Sequence, residues 1–179
     1  MGQITLRPLG DIDSQILEVI QGRLEQAFAL PAETKPPVEM IDSAYNPRRK
    51  QHLSSLLLPA VCALGVSEGE NILAVVDVDL YAPGLNFVFG EASTSLGVAV
   101  ISLWRLRQER YGFPPDENLF RERAGKEAIH ELGHTYGLGH CKDLKCVMYF
   151  SNSLSDTDQK QAAFCGGCRR ALETRLREV

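Results

Sequence analysis

The chain has 179 residues, 44 % of them apolar, which is enough to bury one substantial core and gives no reason to expect several domains. Its formal charge of −4 and the lack of any basic run argue against a polyanion-binding surface, so nucleic acid is not an expected partner. The longest apolar stretch, 53–66, is interrupted by Pro59 and is too short to cross a bilayer, so the expectation is a soluble cytoplasmic monomer without a membrane partner.

Gln3–Leu9 alternates Ile4 and Leu6 with polar neighbours and predicts a first strand. Asp11–Leu30 repeats Ile12, Ile16, Ile20, Leu24 and Phe28 every four residues, which predicts a helix. Pro31, Pro36 and Pro37 mark a loop before a short strand at Val38–Ile41. Arg48–Leu64 reads as a helix kinked or restarted at Pro59, with His52 on its surface and Cys62 buried in its apolar stretch. Asn71–Tyr81 reads as one strong strand, leaving Asp77 and Asp79 on a solvated face. Asn86–Glu91 and Val98–Leu103 are further strands, split by the small residues 92–95, and Phe89 and Trp104 are read as packing residues.

Asp116 is placed to cap a helix from Glu117 to Tyr136, and Ser155 with Asp158 forms a capping pair before another helical segment. Arg169–Arg177 predicts a last helix with a solvated basic face. Helices and strands alternate at first and strands then run together. That order predicts an α/β (α+β) fold built on a mixed sheet with one antiparallel strand.

The chemistry is concentrated in residues 130–140, His-Glu-Leu-Gly-His-Thr-Tyr-Gly-Leu-Gly-His. On a helix His130 and His134 lie one above the other, so both can aim an imidazole at one ion. Continued as helix, His140 would sit about 9 Å further along the axis, at roughly 1.5 Å per residue. Zinc–nitrogen bonds are only about 2.0–2.1 Å long, so the helix must stop. Gly137 is placed to end it in a left-handed conformation and Gly139 to loosen the return. Five such positions match by chance in on the order of one chain in 10⁵ of this length. Three ligands leave a fourth zinc position for a water whose pKa falls toward about 7. Glu131, one position round from the ligand face, is placed as the general base, and amide hydrolysis is the implied reaction.

Cys141 and Cys146, then Cys165 and Cys168, form two short-spaced pairs. A closed four-thiolate zinc site, two disulfides and a redox-active Cys-Gly-Gly-Cys all fit that spacing. An oxidising compartment has no support in the sequence, and a redox pair is expected between a strand and a helix of a βαβ unit.

The eleven residues followed directly by Cys141, then Cys146, Met148, Cys165 and Cys168, resemble the archaemetzincins, a branch of the metzincin zinc metallopeptidases. The stretches 77–81 and 86–91 are similar to that family's sheet region. The resemblance implies a metzincin-like sheet with an antiparallel edge strand, a zinc-binding active-site helix and a small C-terminal subdomain stapled by zinc. It implies a single domain over residues 1–179, with an upper subdomain of residues 1–139 and a lower subdomain of residues 140–179. It implies two zinc ions: a catalytic one on His130, His134 and His140 with Glu131 as base, and a structural one on Cys141, Cys146, Cys165 and Cys168. Met148 would form an apolar floor beneath the histidines.

Several metzincins carry a tyrosine two positions after the methionine, whereas this chain has Phe150 there and Tyr149 beside it, with Tyr149 expected to pack or face solvent. An extended peptide would add to the edge at Asn86–Glu91 as an extra strand. The four-cysteine site would fix the lower wall of the cleft and the position of His140. The leading function is therefore a zinc-dependent metallopeptidase acting on peptide or protein substrates. A zinc-containing peptide-binding protein without turnover and a thiol redox protein are the alternatives.

Overall fold

The computed structural model describes residues 2–67 and 69–178. In chain order its elements are β1 (Gln3–Leu9), α1 (Ser14–Phe28), β2 (Ala32–Thr34), β3 (Tyr45–Asn46), β4 (Gln51–Leu53), α2 (Ser54–Cys62), β5 (Glu70–Val76), β6 (Leu80–Tyr81), β7 (Gly90–Ser93), β8 (Val98–Ser102), α3 (Glu117–Thr135), α4 (Leu154–Gln159) and α5 (Gly166–Glu178). Five strands form one sheet in the order β2-β1-β5-β8-β7, and β3-β4-β6 form a smaller one. All pairs of the larger sheet are parallel except β7–β8, so the sheet is mixed with one antiparallel strand, as the element order predicts, and that strand is at the edge, as the family resemblance implies.

The continuous apolar character of β5 and β8 follows from a sheet covered on both faces. Leu73, Val75, Ala99 and Ile101 face α1 and α3 in one apolar cluster, while Ile72, Ala74, Val76, Val98 and Val100 face α2 in the other. Each valine, leucine and isoleucine among them contributes about 1.5–3 kcal/mol on burial. Val147, Met148, Phe164 and Leu172 join the α1–α3 cluster, so the C-terminal segment shares that core. Among the described residues no helix is long and apolar enough to cross a membrane.

Local polar chemistry moved several predicted boundaries. Ala29, with φ 54°, ends α1 and returns the chain at once beside β1, so β2 forms at Ala32–Thr34 and only Val38 of the predicted 38–41 strand bridges to Leu9. Asn46 accepts the N–H groups of Arg48 and Arg49, and Lys50 turns with φ 56°, which folds 45–53 into a hairpin and delays α2 to Ser54. His52 is consequently a half-buried strand residue, its ring 5.0 Å from that of Tyr45, and not a helix-surface residue. Cys62 is only half-buried at the end of α2. Pro59 lies inside that helix.

The predicted 71–81 strand breaks after Val76. Asp77 and Asp79 are partly buried there and each receive an arginine, Arg107 and Arg105, at 2.6 Å. Val88 makes only a bridge to Leu80, and the edge strand proper starts at Gly90 and takes in Ala92 and Ser93. The α4 cap is Ser153, whose side chain accepts the Asp156 N–H, two residues before the predicted pair, and Asp158 instead binds Arg123.

Candidate active site

Asp116 caps α3 by accepting the Leu119 N–H at 2.9 Å, and Glu117 lies in the positive first turn. At the other end Gly137 has φ 77°, and its N–H donates to His134 O while Leu138 N–H donates to Gly133 O. The reversal demanded by the histidine spacing is therefore present. It brings His140 back so that one nitrogen from each of His130, His134 and His140 lies within 4.8 Å of the others.

Two backbone carbonyls orient the helical histidines. His130 Nδ1 lies 2.8 Å from Val147 O and His134 Nδ1 lies 2.6 Å from Leu138 O. A carbonyl only accepts, so each Nδ1 carries the proton and each Nε2 keeps an unshared pair. Those two Nε2 atoms are 3.1 Å apart. Burial lowers the pKa of all three imidazoles, that of His130 well below its usual value, with the positive charge of Lys160 acting in the same direction on each. A proton bridging the pair at neutral pH is thus disfavoured. Facing imidazole lone pairs with carbonyl-bound outer nitrogens suit a divalent transition metal.

Glu131 is buried and packs on the edge strand at Gly90, where an added Cβ would meet Glu131 Cγ at 2.5 Å and Val100 O at 2.6 Å. Burial pushes its pKa well up, the charges of Glu127 and Glu91 push the same way, and Lys160 opposes them. A cation among the histidines would also oppose the rise. Met148 is fully enclosed beneath α3 at Gly133, where a Cβ would come within 2.6 Å of its sulfur.

A cavity of about 540 Å³ opens at this point, lined by the three histidines, Glu127, Glu131, the stretch 85–92 and the stretch 150–152. Phe89 is a packing residue, edge-on to Phe87 at 5.3 Å, and also a wall of this cavity. Phe150 lies 4.7 Å from His140, ring to ring, while Tyr149 turns its carbonyl toward Lys160.

Cys141, Cys146, Cys165 and Cys168 also converge, all four sulfurs within 4.8 Å of one another. The Cys141–Cys165 separation of 3.8 Å is far beyond a disulfide bond of about 2.05 Å. Backbone N–H groups of Asp143 and Cys165 donate to the sulfurs of Cys141 and Cys146. The Cys168 N–H draws the Cys165 thiol down to about 7, while burial pushes Cys146 and Cys168 up. Cys141 N–H donates to Met148 O, so the two clusters share one short segment.

Glu127, Lys160 and Gly90 are the site residues that sequence reasoning missed. Glu127 precedes Glu131 by one helical turn and carried a legible signal. Gly90 and Lys160 meet their partners only through tertiary folding.

A model of peptidase family M54 matches residues 11–174. The archaemetzincin of Pyrococcus furiosus is 42 % identical over 179 residues, covering 97 % of this chain and 93 % of that protein. The archaemetzincin of Methanocaldococcus jannaschii is 41 % identical over 173 residues, covering 97 % and 94 %. The crystal structure of the Methanopyrus kandleri archaemetzincin matches with a TM-score of 0.86 at 36 % identity, covering 98 % of this chain and 96 % of that one. A zinc-dependent peptidase from Methanocorpusculum labreanum matches with a TM-score of 0.87 at 30 % identity, covering 94 % and 99 %. Likeness that runs through nearly the whole chain in both sequence and fold leads to one conclusion: the chain belongs to peptidase family M54, the family of the archaemetzincins.

Proposed function

We propose that this chain is a zinc-dependent peptidase whose catalytic ion is held by His130, His134 and His140, with Glu131 as general base. The observation that carries the reading is the pair of deprotonated Nε2 atoms 3.1 Å apart, with His140 beside them and Glu131 on the wall of the same cavity. Zinc, when bound, supplies Lewis acidity toward an attacking water and the scissile carbonyl. Glu131 accepts the proton released by that water and delivers it to the leaving amine. His130 and His134, tied at Nδ1 to carbonyls, orient and do not shuttle protons.

Substrate binds in extended form along β7. Ser102 N–H donates to Phe89 O, so in the alternating ladder Phe89, Glu91 and Ser93 bond to β8 while Gly90 and Ala92 turn their N–H and C=O groups outward. Cys141, Cys146, Cys165 and Cys168 hold a second, structural zinc. A thiol drawn down to about 7 also suits redox chemistry, yet four converging sulfurs with N–H···S bonds favour a closed metal site. The protein works as a single domain, with the segment from His140 onward as the lower wall of the cleft.

A peptide-binding protein without turnover is the second reading, favoured by Phe150, which offers no donor to an oxyanion beside His140. Metal analysis joined to a peptide-library cleavage screen separates the two. The zinc-loaded chain should cut, and Glu131→Ala should keep two zinc ions while losing cleavage. Peptide bound but left whole by the native chain would establish the second reading instead.

A further inference from the structure

Lys160 is fully enclosed, and its ammonium lies 2.8 Å from Oε1 of Glu127, which is itself 2 % exposed. Thr157 Oγ1 donates to the same carboxylate oxygen at 3.1 Å, and Lys160 Nζ also donates to Tyr149 O at 3.4 Å. An enclosed ion pair is weak ground for stability, because apolar side chains of similar volume serve as well or better. Its partners indicate a different role. Glu127 stands on α3 three residues before His130. Tyr149 lies two residues past Val147, whose carbonyl holds His130 Nδ1 at 2.8 Å. The Lys160 end is anchored in turn, since Gln161 N–H donates to Lys145 O and Val147 N–H to Ala163 O, both at 2.9 Å. One ammonium therefore pins the helix carrying His130 to the strip of backbone that orients its ring.

We propose that Lys160 is a positioning residue for the three-histidine site. With Glu127 it fixes the spacing between α3 and Val147–Tyr149, and so keeps His130 in its ligating tautomer and direction. This role rests on the reading of these histidines as a metal centre and deepens it. Arg123 with Asp158 and Lys126 with Thr157 O also tie α3 to this region, but Arg123 acts a full turn nearer the start of α3 with a partner one-third exposed, and Lys126, beside Glu127, donates only to the carbonyls of Thr157 and Asp158. Lys160 alone among these groups reaches both the helix and the segment after Met148.

The test is cobalt titration of the full chain, in which thiolate charge-transfer bands report the cysteine site separately from the histidines. Lys160→Met should lower the melting temperature and weaken cobalt binding at the histidines about tenfold, the lower end of what losing a group bonded directly to a ligating histidine costs, because Lys160 acts one step further out through the Val147 backbone. The double variant Glu127→Gln with Lys160→Met leaves no unpaired charge and should regain most of the thermal stability. Its histidine-site affinity should stay about tenfold weak, with kcat lowered and KM little changed. A double variant with native metal affinity and native kcat would overturn the proposal. Should the double variant not fold, Glu127→Gln alone decides, because it keeps the Lys160–Tyr149 hydrogen bond: it should lose clearly less affinity than Lys160→Met, and equal losses would overturn the idea. A native chain that binds cobalt in this pattern but cuts no peptide would sink the peptidase reading and leave the positioning role standing.

Discussion

Gly90 on the edge strand and Glu131 on α3 touch so closely that a β-carbon at residue 90 would lie 2.5 Å from Glu131 Cγ. The second obstacle, Val100 O at 2.6 Å, is backbone within the sheet and cannot swing aside. Gly90→Ala must therefore displace either the carboxylate or the edge strand. Displacements near 1 Å cost catalysis about 100-fold, so kcat should fall by that order while metal at the histidines is retained. Native kcat in Gly90→Ala would show that the proposed base, Glu131, does not depend on its seat against the strand.

This contact also marks the limit of what the sequence conveys. The grouping of the three histidines and the helix break are local in the chain, since spacing along a helix and a left-handed glycine dictate them, and the structure has His130, His134 and His140 together and Gly137 at positive φ. The four cysteines were legible as a set through their paired spacing, although their convergence came from folding. Elements whose boundaries depend on polar partners or turns were displaced. The break after Val76 depends on Arg105 and Arg107, and the late start of α2 depends on Asn46 and Lys50, none of which alters the apolar pattern. Buried polar residues on α3, Arg123, Lys126 and Glu127, likewise have partners in and around α4 that no periodicity announces.

Edge-strand recognition makes a specific prediction about proline. Val88 is a poor probe, because its N–H already donates to Leu80 O at 3.0 Å. Ala92 turns its N–H away from β8, and proline is tolerated where an edge-strand N–H faces outward. Ala92→Pro should leave the melting temperature within a few degrees of native. It should weaken binding of a non-cleaved peptide about tenfold, the loss of one net hydrogen bond of about 1–1.5 kcal/mol. Calorimetry with the Glu131→Ala background measures this directly, and unchanged affinity would move the substrate off the strand.

The shared segment between the two clusters predicts coupling. Cys141 follows His140 and its N–H is bonded to Met148 O, so loosening the sulfur cluster should loosen the third histidine. Cys165→Ser should lower thermal stability and reduce zinc affinity at the histidines about 10–100-fold. Zinc analysis after dialysis against a weak chelator gives the answer. Full occupancy of the histidines in this variant would mean that the cysteine site props up stability alone.

With metal removed from the histidine site, acid should destabilise the chain. Burial lowers the folded-state pKa of His130, His134, His140 and His52 below the ordinary imidazole value of 6.5. As pH falls below about 6.5 the unfolded chain takes up protons that the folded chain refuses, so stability must fall toward the lowered values. Glu131 acts in the opposite sense. Its raised pKa lets the folded chain hold a proton between the ordinary carboxyl value of 4.5 and the higher folded one, where the unfolded chain has lost it. That single group favours the fold as pH drops, and Glu131→Gln removes its contribution. Melting temperatures of both forms should therefore decline from about pH 7 to about pH 5, with Glu131→Gln declining more steeply. A native chain whose melting temperature holds level or rises into acid would contradict the enclosure of neutral imidazoles on which the proposed metal centre depends.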